Sequence, residues 1–230
     1  MQHHEIVIVL HGYMRQRGDV RVLANYLRKE GYGNVIRPNL PTTTASLEEC
    51  TDKLREDILN YRISDFDKCH FVGHSMGGLV IRDYLSKFTV HNIGNVVLIS
   101  TPNNGSDLAT KALKRCPWIK DYSPSVLDMI PGREIGKPIS KTRIGVIAGY
   151  TTSPTFFGRF IDSMSDGRVP TESMKFDGMD DYCSLEIRHT RIHKDSATCY
   201  LVGTFLKNGS FFHFPYQKQP LFMGKQETYH

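Results

Sequence analysis

The stretch FVGHSMGGLV, Phe71 to Val80, constrains this chain more than any other, because it joins a β-rich run to a helical pattern through a serine set between glycines. Gly73, Ser75 and Gly77 fit G-x-S-x-G. The run KCHFVG (Lys68 to Gly73) leads in, and Leu79, Ile81, Tyr84 and Leu85 lead out at helical spacing. A sharp strand-to-helix turn of this kind lifts a serine Oγ above a sheet, and glycine is required where a side chain would strike the neighbouring strand or helix. The helix start also directs unpaired N–H groups and the positive end of its dipole toward charge developing at a substrate oxygen. A phosphate loop is a competing use of such glycines, but its Lys-Ser or Lys-Thr pair does not directly follow them. A turn that needs glycine for packing alone is the other competitor, so the partners of Ser75 must decide.

The rest of the chain supplies a scaffold for that turn. Short β-rich runs alternate with helical patterns, the signature of an α/β fold with a mostly parallel central sheet covered by helices on both faces. EIVIVL (Glu5 to Leu10), NVIRPNL (Asn34 to Leu40), IGNVVLIS (Ile93 to Ser100), TRIGVIAG (Thr142 to Gly149) and CSLEIRH (Cys183 to His189) are the other expected strands. Helices are expected over Asp19 to Lys29, over Ser46 to Tyr61 with Ser46 and Glu49 as a capping box, and over Asp195 to Lys207, stopped by Asn208 and Gly209. We expect one domain over residues 1–230, with residues 102–141 too long for a bare loop and forming a helical cap or lid, and 210–230 as a C-terminal tail. The aromatics Phe211, Phe212, Phe214, Tyr216 and Phe222 of that tail are expected to pack on the body.

An activated serine needs a base, an acid and an oxyanion hole. In this fold's chain order the acid follows the nucleophile and the base follows the acid. The oxyanion donors are expected from the backbone N–H groups of Met76, after the serine, and Tyr13, in His11-Gly12-Tyr13 directly after the first strand. His11 precedes the serine and His74 abuts it, so both are assigned supporting roles, as is Gly12. For the acid, Asp166 of SDGRVP is favoured over Asp162, Asp177, Asp180 and Asp181. A plain Asp-Gly turn is the alternative use of that pair. For the base, IRHTRIHKD offers His189 and His193, and His189 is favoured because it stands at the end of a β-rich run, before the last helix.

Taken together, VLHGY, VGHSMGGLV, LISTPNNGSDLA, SDGRVP and HTRIHKD resemble the lipase and esterase branch of the α/β-hydrolases, notably its bacterial lipase-like and inositol-deacylase-like members. The resemblance runs from Glu5 to Gly209. It implies a triad of Ser75, Asp166 and His189, since the family's histidine stands in an H-[TS]-x-[ILM] pattern that His189-Thr190-Arg191-Ile192 fits. The implied chemistry is cleavage of a carboxylic ester through an acyl-enzyme, with no metal and no organic cofactor. Acyl transfer, thioester or amide cleavage by the same groups stays open, as does a hydrolase fold that binds a ligand without turnover.

Composition sets the outer limits. Twenty-nine Lys and Arg against 24 Asp and Glu leave a net charge of +5 without a basic stripe, so no nucleic-acid partner is expected. A small-molecule ester or lipid is the expected partner. Lys111, Lys114, Arg115 and Lys120 surround Trp118, which reads as a solvated helix with one buried Trp in preference to a lid that meets anionic lipid. Five scattered cysteines without a C-x-x-C pair fit free thiols and a cytoplasmic setting, with no export signal visible.

Overall fold

Each strand of the sheet carries apolar side chains on both faces, and that property organises the molecule. In β1 (His3–Leu10), Ile6, Ile8 and Leu10 enter one core while Val7 and Val9 enter the other, and all five are fully buried. A strand with period-two side chains that is apolar on both sides needs a helical layer on each face. The structure is a computed structural model and describes residues 3–161 and 163–211.

Among the described residues six strands supply the sheet: β1, β2 (Tyr32–Ile36), β3 (Lys68–His74), β4 (Ile93–Ile99), β5 (Ile144–Gly149) and β6 (Asp181–Leu185). They lie in the order β2-β1-β3-β4-β5-β6, and every pairing is parallel. The strand order reverses direction between β1 and β3, where a crevice opens beyond the carboxyl ends of the strands. Helices α1 (Arg21–Lys29) and, near the C-terminus, Ser196–Asn208 pack on the Val7 and Val9 face. Helices α2 (Leu47–Asn60) and α3 (Met76–Lys87) pack on the Ile6, Ile8 and Leu10 face. The Ser46 hydroxyl accepts from the Glu49 N–H and the Glu49 carboxylate accepts from the Ser46 N–H, which completes the capping box.

Several boundaries differ from the sequence expectation for local reasons. The second strand spans Tyr32–Ile36 in place of Asn34 to Leu40: Pro38 has no N–H for a ladder, and the Leu40 N–H is taken by His11 Nε2. The fourth strand stops at Ile99 because Ser100 takes a φ of 47°. The last strand ends at Leu185, where the Ile187 N–H turns back to the Leu185 carbonyl, so His189 stands on a loop and does not close the strand.

Residues 102–141 contain α4 (Asp107–Arg115), α5 (Ile119–Tyr122) and α6 (Ser125–Asp128). Trp118 is 65% exposed, contrary to the expectation of a buried ring. Cys116 and Pro117 end α4 ahead of it, which takes Trp118 off that helix's apolar face. A four-residue helix, α7 (Thr171–Met174), follows the Asp166 turn, and α8 is the Ser196–Asn208 helix, capped by Asp195 and ended by Gly209 in the left-handed region. Phe211 is buried, while Phe212, Phe214, Tyr216 and Phe222 lie outside the described residues. All five cysteines are free, and no helix among the described residues is long and apolar enough to cross a membrane.

Candidate active site

Ser75 sits on the turn between β3 and α3 with φ 55° and ψ −129°, a conformation that residues with a side chain rarely adopt. Its N–H donates to the Ile99 carbonyl at 2.8 Å and its carbonyl accepts from the Gly78 N–H at 2.9 Å, which fixes the turn from both sides. The glycines allow the required approaches. A Cβ on Gly73 would stand 2.6 Å from Gly78 backbone atoms, and one on Gly77 would stand 2.5 Å from the His11 carbonyl oxygen.

The Asp166 turn and the His189 loop meet this serine. His189 Nε2 lies 3.0 Å from Ser75 Oγ, and His189 Nδ1 lies 2.6 Å from Asp166 Oδ2. An ionised carboxylate only accepts, so Nδ1 carries the proton and Nε2 presents its lone pair to the serine hydroxyl. The other carboxylate oxygen, Oδ1, accepts from the N–H groups of Arg168 at 3.0 Å and Val169 at 2.9 Å. The Asp-Gly turn, with Gly167 at φ 93°, therefore both bends the chain and aims the Asp166 carboxylate at His189. The His189 N–H also donates to the Asp166 carbonyl at 3.0 Å, which ties the two loops together. All three side chains are buried: Ser75 is 7% exposed, His189 5% and Asp166 1%.

The loop after β1 closes over the serine. A Cβ on Gly12 would come 2.9 Å from Ser75 Cβ, so only glycine lets this backbone lie so near. His11 clamps the loop, with Nδ1–H donating to the Gly12 carbonyl at 3.1 Å and Nε2 accepting from the Leu40 N–H at 3.1 Å. Burial lowers the pKa of this ring, which suits a neutral donor–acceptor clamp. Among the described residues the Tyr13 N–H donates to no backbone carbonyl, and the Met76 N–H belongs to the first turn of α3, where no intrahelical acceptor exists. Tyr13 Oη lies 2.8 Å from Ser123 Oγ, so the same loop is tied to the helical insertion. The insertion is further held by Ser125 Oγ donating to the Thr42 carbonyl and by Asp128 Oδ2 accepting from the Leu47 N–H.

His193 and His74 take other places. His74 Nε2 donates to the His189 carbonyl at 3.1 Å, and its ring stacks on His193 with centroids 3.9 Å apart. His193 Nε2 stands 3.0 Å from Asp19 Oδ2 without hydrogen-bond alignment, and His74 Nδ1 has no hydrogen-bond partner among the described residues. Burial pushes the His193 pKa down to about 4 and the His74 pKa well below its usual value, the latter helped by the charges of His193 and His189. Asp19, His74 and His193 bring donor atoms within 4.8 Å of one another, a spacing that a metal ion could bridge. The Asp19 carboxylate is nevertheless engaged by Lys194 at 2.5 Å, with Arg15 at 3.9 Å, and those cations oppose a further positive charge. Of the rival acids, Asp180 accepts from the Ile144 N–H, Asp181 from the Phe211 N–H, and Asp177 faces Lys137; Asp162 lies outside the described residues.

A cavity of about 370 Å³ opens on Ser75 and His189. The helical insertion gives it an apolar wall of Leu108, Ala109, Ala112, Ile119, Val126 and Met129. The arrangement can move a proton from a serine hydroxyl to an imidazole held by a carboxylate, beside two backbone donors and an apolar slot. The sequence did not single out Arg15 and Arg168, which also line this cavity. The available signal was their position, two residues beyond Tyr13 and two beyond Asp166.

Comparison with known proteins gives the chain its setting. A family model described as alpha/beta hydrolase fold matches residues 5–123. A phospholipase of Bacillus subtilis (strain 168), YtpA, is 26% identical over 186 residues, spanning 73% of this chain and 70% of that protein. The mature form of the Bacillus licheniformis lipase BlEst2 superposes with a TM-score of 0.68 at 19% identity, covering 88% of this chain and 90% of that one. Phospholipase PlaB from Legionella pneumophila gives a TM-score of 0.59 at 17% identity, over 74% of this chain and 45% of its own.

Proposed function

The chain belongs to the α/β-hydrolase fold family, and on that premise we propose that it cleaves carboxylic esters through an acyl-enzyme on Ser75. One observation carries the reading: Ser75 Oγ, His189 and Asp166 form a continuous hydrogen-bonded line at 3.0 and 2.6 Å that ends in an apolar cavity. In the first step Oγ attacks the ester carbonyl while His189 Nε2 takes the hydroxyl proton. The Tyr13 and Met76 N–H groups hold the oxyanion, each donor being worth about 10²–10³ in rate. Collapse breaks the bond to the alcohol, which leaves with the proton from His189. Water, deprotonated by the same nitrogen, then attacks the acyl-enzyme, and the acid departs with Ser75 regenerated. Asp166 stays ionised throughout and stabilises the imidazolium.

The likeness to lipases and phospholipases supports an ester of apolar acyl character, and the apolar cavity wall fits such a chain. Acyl transfer and thioester or amide cleavage use the same groups and differ in what reaches the acyl-enzyme. The exposed aromatic rings of Trp118, Tyr122 and Phe156 support peripheral contact with lipid. Flotation with anionic liposomes at low and high salt tests that contact, and no binding at either salt removes it. For the catalytic reading, wild type is expected to turn over p-nitrophenyl butyrate and Ser75→Ala to lose that activity while keeping its circular dichroism. Equal turnover in the folded variant would sink the proposal.

A further inference from the structure

The mouth of the Ser75 cavity is charged in one direction. Among its described lining residues Arg15 and Arg168 carry charge, and none is an Asp or a Glu. Arg15 keeps 41% of its side chain exposed, with Asp19 Oδ2 at a distant 3.9 Å, while Asp19 makes its short contact with Lys194. Arg168 is half-buried, makes no ion pair among the described residues, and has its guanidinium 5.5 Å above the Phe157 ring. Besides burial, the charges that act on it are the repulsion of Arg15 and the attraction of Asp166, whose oxygens are already committed to His189 and to two backbone N–H groups. Two cations that line one cavity, Arg15 in loose contact with Asp19 and Arg168 partly desolvated and without an ion pair among the described residues, make a recess that favours an anion.

Both arginines stand beside groups that hold His189. Arg168 follows Asp166 on the turn that bonds His189, and the charge of Arg15 acts on His74, which donates to the His189 carbonyl. The apolar wall comes from the helical insertion. The leaving alcohol must lie on the histidine side, because His189 Nε2 gives it its proton. We propose that Arg15 and Arg168 form an anion subsite for the alcohol portion of the substrate, so that the preferred esters join an apolar acyl chain to an alcohol bearing a phosphate group. This rests on the ester-cleaving reading above and deepens it.

The test compares two esters with one acyl chain, 1-octanoylglycerol 3-phosphate and 1-octanoylglycerol, both below their micelle concentrations. Wild type is expected to favour the phosphate ester about tenfold in kcat/KM at low ionic strength, since charge pairs at an open mouth are modest, with the preference shrinking as salt rises. The double variant Arg15→Gln/Arg168→Gln is expected to lose the preference, and Arg15→Lys/Arg168→Lys to keep part of it. A ratio near one in wild type, or an unchanged ratio in the double Gln variant, overturns the subsite. Turnover of p-nitrophenyl butyrate is measured alongside, so a dead enzyme is told apart from an active one without the preference. If no ester turns over, calorimetry with glycerol 3-phosphate decides: binding lost in the double Gln variant supports the subsite, and absent or unchanged binding refutes it. Inorganic phosphate competing as strongly as the acylated phosphate would mark a site for free phosphate and overturn the ester assignment.

Discussion

Replacing Asp166 by Asn tests how the acid acts, because the two side chains share a shape and differ in where they can donate. Oδ1 of Asp166 accepts two backbone N–H groups, from Arg168 at 3.0 Å and Val169 at 2.9 Å. An Asn must therefore place its carbonyl oxygen there. Its NH₂ then occupies the Oδ2 position, 2.6 Å from His189 Nδ1, and donates to that nitrogen. The proton of His189 is driven to Nε2, facing Ser75 Oγ at 3.0 Å, and a protonated Nε2 accepts nothing from the serine. Flipping the amide to rescue the tautomer leaves two buried N–H donors opposed, at about 1–3 kcal/mol each. The productive form is thus disfavoured by roughly 2–6 kcal/mol, in line with the loss of about 10⁴ in kcat, near 5.5 kcal/mol, seen when a triad histidine is held in the wrong tautomer. Saturating p-nitrophenyl butyrate gives kcat, and thermal unfolding reports the fold, which keeps both Oδ1 bonds. A folded Asp166→Asn enzyme with kcat within tenfold of wild type would refute the tautomer reasoning.

The glycines of the turn give a paired prediction: Gly77→Ala drives a Cβ to 2.5 Å from the His11 carbonyl oxygen and should cost about 3 kcal/mol, whereas Gly33→Ala on β2, with open space around it, should cost almost nothing in the same urea titration. Equal midpoints for the two variants would contradict the packing account. Stability should also fall on acidification. His193 is buried neutral with its pKa lowered from 6.5 to about 4, so its contribution is intact above pH 6.5 and is lost as the pH drops toward 4, by about 3 kcal/mol. His74 adds in the same direction, and His193→Gln should flatten the slope between pH 7 and pH 5; a slope unchanged by that substitution would show that the ring does not titrate as described. Tyr13→Phe removes the bond to Ser123 and leaves the backbone N–H in place, so it should cost about 1 kcal/mol while kcat falls far less than in Asp166→Asn. A kcat loss as large as that of Asp166→Asn would show that the hydroxyl does more than tie the loop to the insertion.

Much of this architecture is legible in the chain because the sheet is buried on both faces and its strands read as continuous apolar runs. The capping box at Ser46 and the stop at Gly209 also stand in local sequence, since the groups that make them are three residues apart or adjacent. Boundaries were lost where a distant group intervened. The Leu40 N–H goes to His11, 29 residues away, and the strand stops at Ile36, short of the Asn34 to Leu40 run. Within the site, chain order and motif spacing led to Ser75, Asp166 and His189, which the fold brings within hydrogen-bonding reach of one another. What periodicity does not carry is which neighbours a loop acquires. The approach of His193 to Asp19, 174 residues apart, and the placing of both Arg15 and Arg168 in the lining of one cavity depend on where loops end in space. Trp118 escaped for a related reason: the helical pattern around it is cut by Pro117, and the ring follows the break outward.

The central claim is that Ser75 is an activated nucleophile, and reaction with a fluorophosphonate followed by intact-mass and peptide mass spectrometry tests it most directly. One adduct per chain, located on Ser75 and absent from Ser75→Ala, is the predicted result. A folded wild-type protein that takes no adduct, or takes one that survives the Ser75→Ala substitution, would contradict it.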